Sequence, residues 1–515
     1  MTSHHTNYGS VKSDYMNRSF DSDATSFHTS LDLADDADDH DEKTPLYASS
    51  IQTAGGGPRM RKHTMSTSLY ASVSKYTTSN YFGFGSTSLA VARMKERAIV
   101  GSTTISLADI PSLDRLTPTI VAFFTQLSLV TGLSVFAIPL VVANCGIPML
   151  GGLLLGGILT CYTSVLINRC QYQYSKDGTR KRVYENYIDL GKKAIKWHGD
   201  TIMKIIVGSS ILTDVYTLIF CAQISKDLST GYFQIDDRIW MAMWMALVFP
   251  LFFIRRMSVL AWLGFFSLVF YTIGFAGIFG LLIYHYDSWT WGNLIPKDFK
   301  ISYVFIGYGI IVNSYNAHLS MPAIEASMRK PESFTKVNIL AFVINTVLKI
   351  ALSVFAVALF GINTEGSVLA NCIVFGRMAL VVNVLIAIYM ITQYPVSLFV
   401  VLEMFDLYIF PKLKMFKKNH WTEKVWLFLS RLAVTVFITA LAVSIPNFEM
   451  VTGFIGNIRG TLAVLILPIY FYIRIHGRKM NKFQLAFHWF LIVIVTLLGL
   501  CGATFAVLGV FGKIY

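Results

Sequence analysis

Residues 312–322 read VNSYNAHLSMP. Asn313, Ser314, Tyr315, Asn316 and His318 sit in the middle of an otherwise apolar stretch, 301–327, and Pro322 follows close behind. Lipid offers a helix no backbone partners, so such an interruption is tolerated only where protein or a wet cavity covers it. A second interruption lies upstream, at TGLSV (131–135), with Pro139 a few residues on. Glycine permits unusual backbone angles and proline removes an amide donor. These breaks fall in the first and sixth apolar spans. Breaks five spans apart predict an inverted five-plus-five repeat, with a site at the midplane between the first helices of the two halves. Gly132, Leu133, Ser134, Val135, Asn313, Ser314, Tyr315 and Asn316 are therefore the candidate substrate contacts. Amide groups at a half-helix N-terminus attract a carboxylate. Carbonyl oxygens of unwound backbone accept from an amino group. The pair suits an amino-acid zwitterion. The competing reading is that Gly and Pro are simply commoner in membrane helices; the matched pair of breaks favours a site.

Composition supports a membrane class. Of 515 residues 54% are hydrophobic and only 14% charged, against roughly 25% charged in a soluble domain, and the mean hydropathy is +0.54. Many apolar runs exceed the ~20 residues needed to cross a bilayer. About eleven spans are expected: 120–142, 146–168, 201–224, 238–256, 259–285, 301–327, 335–362, 373–402, 425–444, 451–474 and 484–511. The six cysteines form no C-x-x-C pair, lie mostly in apolar runs, and read as small packing residues. No metal-ligand cluster and no cofactor motif is found.

Residues 1–115 are rich in Ser, Thr, Asp, Tyr and Gly, with an acidic run at 32–42 and GGGP at 55–58. They carry no signal-peptide core, and bury too little apolar surface to offset their ordering entropy. They are expected to be a disordered cytosolic tail ahead of a transporter domain over 116–515. YGSV (8–11) and YASV (70–73) fit a short tyrosine-based sorting pattern, so sorting adaptors are candidate partners. The net charge of +13 is concentrated in alternate loops. One set holds Arg169, Lys176, Arg180, Lys181, Arg182, Lys192, Lys193, Lys196, Arg255, Arg256, Arg329, Lys330, Lys336, Lys412, Lys414, Lys417, Lys418, Lys424, Arg474, Arg478, Lys479 and Lys482. The other offers Lys226, Arg238, Lys297, Lys300 and Lys513. By the positive-inside rule the N-terminus is cytosolic and the C-terminus lumenal or extracellular. Basic residues spread over one membrane face, rather than in a stripe, argue against nucleic-acid binding.

Four stretches carry a family resemblance: GLSVFAIPLVVANCG (132–146), RVYENY (182–187), GIIVNSYNAHLSMPAIEASMRKPESF (309–334) and VVNVLIAIYMITQYPVSLFVVLE (381–403). Over about 117–511 the chain resembles the amino acid/auxin permease family, nearest to its vesicular inhibitory amino acid branch. The resemblance implies an all-α, eleven-helix leucine-transporter-type fold and proton-linked amino-acid transport, with protons as partners alongside the substrate and the bilayer. It also implies a vesicular or endolysosomal membrane in preference to the plasma membrane. Ser134 and Ala137 depart from a more glycine-rich first helix. Asn313, Asn316 and His318 stand where the branch carries an aromatic, a Thr and a Gln, which leaves the particular amino acid open.

Ionisable groups inside spans are costly, and each is a candidate for function. His318 has an ordinary pKa of about 6.5, suited to coupling across an acidic gradient, or it can be a hydrogen-bonded packing residue. Glu325, which matches a family carboxylate, can titrate, or gate by pairing with a cytosolic cation. Asp214 and Lys349 can form a buried pair, with a structural role favoured over substrate contact. Arg459, in GNIRG (456–460), can face the permeation path as a carboxylate partner or reach for a helix end. Gln393 and Tyr394, beside Pro395, can line the pocket or bond between helices.

Two further classes compete with a transporter: an amino-acid sensor signalling through its tail, and a channel. Broken helices favour an occluded central site over a continuous pore. An enzyme is disfavoured, since no Walker loop, HExxH or supported GxSxG occurs.

Overall fold

Apolar runs long enough to cross a bilayer form helices here, because a helix satisfies its own backbone without water. The structure, a computed structural model, describes residues 118–511 except 175–179, 185–186, 230–234, 255–256, 407–419 and 446. The tail, its acidic run, both tyrosine motifs and the loop cations Lys176, Arg255, Arg256, Lys412, Lys414, Lys417, Lys418 and Lys513 lie outside the described residues.

The first span is in three pieces. α1 (Thr119–Thr131) stops at Gly132, a 3-10 turn follows over Leu133–Ala137, and α2 (Ile138–Cys145) completes it. The axis bends by 43°. α3 (Ile147–Cys170) leads into a hairpin of β1 (Tyr172–Tyr174) and β2 (Arg180–Arg182). Then come α4 (Tyr187–Ala194), α5 (Gly199–Gly208), α6 (Ile211–Ser229), α7 (Asp237–Val248) and α8 (Met257–Tyr284). α9 (Ile301–Ser314) and α10 (Met321–Ser327) are separated by the irregular residues 315–320. α11 (Phe334–Phe360), α12 (Val368–Cys372), α13 (Arg377–Met404) and α14 (His420–Ser444) follow. α15 (Phe448–Ile455) passes through a π-helical stretch, Gly456–Ile466, into α16 (Leu467–His476), and α17 (Lys482–Val510) closes the described chain.

Among the described residues, eight helical segments have the length and hydropathy of a membrane span, two of them made of consecutive helices (α5 with α6, and α15 through α16), or nine with the bent first pair. α7 has 12 residues and α9 has 14, short of a full crossing by themselves. Helices occupy all eleven expected stretches.

Lipid tails are as apolar as the side chains, so helix packing and interhelical hydrogen bonds hold such a bundle together. α8 packs along α13, α9 against α17 and the π stretch, and α11 against α1 and α3. Phe136 stacks on Phe220 at a ring separation of 5.5 Å, and Phe448 packs at a tilt on Phe220 at 4.6 Å. One face of α11 carries Asn338, Asn345, Thr346 and Lys349, all buried. Gln126 Nε2 donates to Asn338 Oδ1 at 2.8 Å, and Thr131 Oγ1 donates to Asn345 Oδ1 at 2.6 Å. Each such bond contributes about 0.6 kcal/mol. Together they register α1 along α11, which sets where the first break falls.

Candidate functional site

Gly132 has φ 58° and ψ 157°, a backbone region open in practice only to glycine. A methyl group there would stand 3.1 Å from the carbonyl oxygen of Ser314, the last residue of α9. The two helix ends therefore meet backbone to backbone, and glycine is needed on both steric and conformational grounds. Across the contact Asn313 Nδ2 donates to Ser134 Oγ at 2.8 Å. Tyr216, from α6, is buried close to the same two side chains. Ser134, Asn313, Ser314 and Tyr315 are at most 2% exposed, and Leu133 and Val135 are also buried. Asn316 is half-buried at the edge.

Ends of helices leave carbonyl oxygens without intrahelical partners. Here two of them converge on one cation. Lys349 Nζ donates to Val130 O and to Ser314 O, both at 2.8 Å. The same ammonium stands 3.5 Å from the ring centroid of Tyr315, an electrostatically favourable position. Tyr315 is fixed in turn by stacking on Phe342 and by a 2.9 Å bond between its hydroxyl and Thr346 Oγ1.

This overturns one expectation. Asp214 and Lys349 do not pair. Asp214 accepts from Ser397 Oγ, and its main-chain oxygen accepts from the Tyr394 hydroxyl at 2.9 Å. Lys349 is turned toward the breaks because two carbonyls and a ring there solvate an ammonium together. Tyr394 thus fastens α13 to α6. Gln393 accepts from Ser267 Oγ at 2.8 Å and ties α13 to α8. Both make bonds between helices.

His318, in the turn after the break, is fully buried. Its Nε2 lies 3.1 Å from Thr160 O and 2.9 Å from Thr163 Oγ1, both on α3. A carbonyl oxygen can only accept, so Nε2 carries the proton and donates to Thr160. Glu325, on α10, is fully buried and meets Arg182 Nη2 at 3.4 Å. The Tyr172 hydroxyl also donates to Glu325, and Arg182 donates to Pro322 O at 2.8 Å. Tyr172 and Arg182 are directly opposite in the hairpin, so the β1–β2 turn clamps the end of α10. Sequence reading named Glu325 but missed Tyr172. A two-strand pairing inside a polar loop leaves little periodic signal. It also missed Tyr216 and Thr163, which are single polar side chains on apolar helices. The α11 face was within reach, because Asn338, Asn345 and Lys349 recur at helical spacing.

Arg459 projects from the π-helical stretch and is 5% exposed. Among the described residues, no group of three or more His, Cys, Asp or Glu side chains is placed to hold a metal ion.

Apolar helices packed around a buried polar centre define a polytopic helical membrane protein. Residues 117–511 match the profile of the transmembrane amino acid transporter protein family, and the chain belongs to that family. The vesicular inhibitory amino acid transporter of Homo sapiens is 23% identical over 73% of this chain and 72% of its own length. The vesicular GABA transporter of Caenorhabditis elegans is 22% identical over 70% and 73%. The amino acid transporter AVT1H of Arabidopsis thaliana is 27% identical over 73% and 86%. Among solved structures, a manganese transporter of Eremococcus coleocola aligns with a TM-score of 0.49 at 14% identity, covering 79% of this chain and 92% of that one. MhsT in complex with L-phenylalanine aligns with a TM-score of 0.46 at 12% identity, covering 75% and 98%. The protein is an integral membrane protein that carries amino acids across a membrane, and its relatives are transporters rather than enzymes.

Proposed function

We propose that the protein is a secondary active, proton-coupled transporter that binds an amino acid by its zwitterionic head and moves it by alternating access. The reading takes the chain as eleven crossings in a five-plus-five inverted repeat, N-terminus cytosolic, in a vesicular or endolysosomal membrane. The substrate sits where Gly132, Leu133, Ser134 and Val135 face Asn313, Ser314, Tyr315 and Asn316.

One observation carries it. Val130 O and Ser314 O, from the two breaks, are held 2.8 Å from a single ammonium. Lys349 fills these two oxygens and so ties the breaks together, which holds the unwound backbone beside them, 132–135 and 313–316, in place for a substrate's charged head. Movement of the halves would then be felt by anything bound between them. His318 and Glu325 are the proton-coupling or gating groups. The Glu325 carboxylate, held by Arg182 and Tyr172, closes the cytosolic side when formed and opens it when broken.

The test is uptake of a panel of labelled amino acids into proteoliposomes holding the full chain, with and without an imposed pH gradient. Uptake that collapses when the gradient is dissipated is the expected result. Saturable binding with no flux would point to a sensor and sink the transport reading. Flux unchanged by the gradient would remove proton coupling alone.

A further inference from the structure

Arg459 Nε and Nη1 are buried and have no hydrogen-bond partner. The ionisable groups close enough to interact electrostatically with the guanidinium are Tyr216, Asp214 and Tyr187. Two of them are otherwise engaged: Asp214 with Ser397, and Tyr187 through a 2.7 Å bond to Ala463 O. A guanidinium stays protonated and offers a planar fork of donors that matches a carboxylate. Burying such a charge without hydrogen-bonded partners is unfavourable. Two free, buried N–H groups on one guanidinium therefore point to an anionic ligand.

Position narrows the ligand. Gly456 and Gly460 flank Arg459, and the π stretch closes there on α9. A side chain at Gly456 would collide with Gly309 O, and one at Gly460 would meet the backbone of Asn313. Arg459 is thus anchored beside the sixth-span break. The π stretch that carries Arg459 therefore packs on the same helix that supplies Asn313 and Ser314 to the proposed substrate site.

Charge narrows it further. Glu325 is paired with Arg182, and Arg431 with Asp406. The buried charges left near the breaks are Lys349, Arg459 and Asp214, two cations against one anion. Lys349 counts as an ammonium because it donates to two carbonyls and faces a ring. A neutral zwitterion leaves that surplus unbalanced, whereas a substrate with one net negative charge cancels it. We infer that Arg459 receives the side-chain carboxylate of the transported amino acid, so that the preferred cargo is an acidic amino acid of the aspartate–glutamate class. The inference rests on the transport reading above and adds the chemistry of the cargo side chain.

The experiment compares uptake of glutamate and aspartate with glutamine and asparagine into proteoliposomes, for the native chain and for Arg459→Gln and Arg459→Lys. The native chain should favour the acidic member of each pair. Arg459→Gln should lower the acidic-to-amide uptake ratio by about 30-fold, as when one partner of a buried charge pair is removed. Arg459→Lys, which keeps the charge and loses the fork, should fall between. If neither variant folds, the native ratio and its inhibition by unlabelled glutamate decide alone. Amide substrates carried as well as acids would overturn the acidic-cargo inference and leave amino-acid transport standing. No uptake of any amino acid would fail both. Chloride that protects the purified chain from heat as well as glutamate does, with the protection lost in Arg459→Gln, would assign the fork to an inorganic anion and overturn the inference.

Discussion

The Lys349 ammonium donates to the carbonyl oxygen of Ser314 at 2.8 Å, although the two residues lie 35 positions apart on different helices. With the equal bond to Val130 O, this one side chain ties the first break to the sixth. Lys349→Met keeps most of the volume and leaves two buried carbonyls unsatisfied, at about 1–3 kcal/mol each. A fall in thermal stability in detergent is expected, with uptake lost. Unchanged stability would mean that other groups hold the breaks together.

Gly132→Ala adds a methyl group 3.1 Å from Ser314 O and forces a backbone region that L-residues avoid. Gly376→Ala is the control. Its φ is 66°, but nothing lies within 4 Å of the added atom. Both substitutions carry backbone strain of about 1–3 kcal/mol. Only Gly132→Ala is expected to raise the KM for uptake, measured as initial rates across substrate concentrations.

Arg182, Tyr172 and Glu325 form one unit at the end of α10. Removing either charge leaves the other half-paired, so Arg182→Gln and Glu325→Gln are each expected to be harmful. The double variant should be less harmful than the sum of the two, by about 1 kcal/mol or more. The readout is a double-mutant cycle on transport rate. Strict additivity would show that the ion pair is not the gate.

His318 donates from Nε2 to Thr160 O and lies beside Thr163. His318→Gln can retain a donor but cannot gain a second proton. Its uptake is expected to lose part of its dependence on pH, because an amide side chain does not titrate. Rates are measured at fixed substrate while the lumenal pH is varied. A native-shaped profile would make His318 a packing residue.

Gln126 and Asn338 share a buried 2.8 Å bond. Replacing both by leucine is expected to cost less stability than replacing one, because a single change strands a buried polar partner. Melting temperatures of the three variants check this.

Much of the fold was legible because hydropathy has a direct physical reading: a run of apolar residues either crosses lipid or is buried. The position of the breaks was legible for the same reason, since Gly132 and the 313–318 knot violate the apolar rule that surrounds them. Harder to read were partners. Asp214 and Lys349 looked like a pair because opposite charges inside a membrane usually need each other. Instead the lysine found two carbonyls and a ring, which no pattern of charges announces. Tyr172 and Arg182 came to Glu325 through a hairpin whose strands are only three residues each.

The sequence by itself determined that this chain is a polytopic helical membrane protein, where its spans are interrupted, and which family it belongs to. The first two follow from local composition and spacing, and the family from the resemblance carried by four stretches of the chain. Only the tertiary structure decided that Gly132 meets Ser314, that Lys349 bridges the two breaks, and that Arg459 is buried with free donors. Those relationships join residues from separate helices. They depend on how α1, α9, α11 and the π stretch pack, and packing is set by the whole bundle at once.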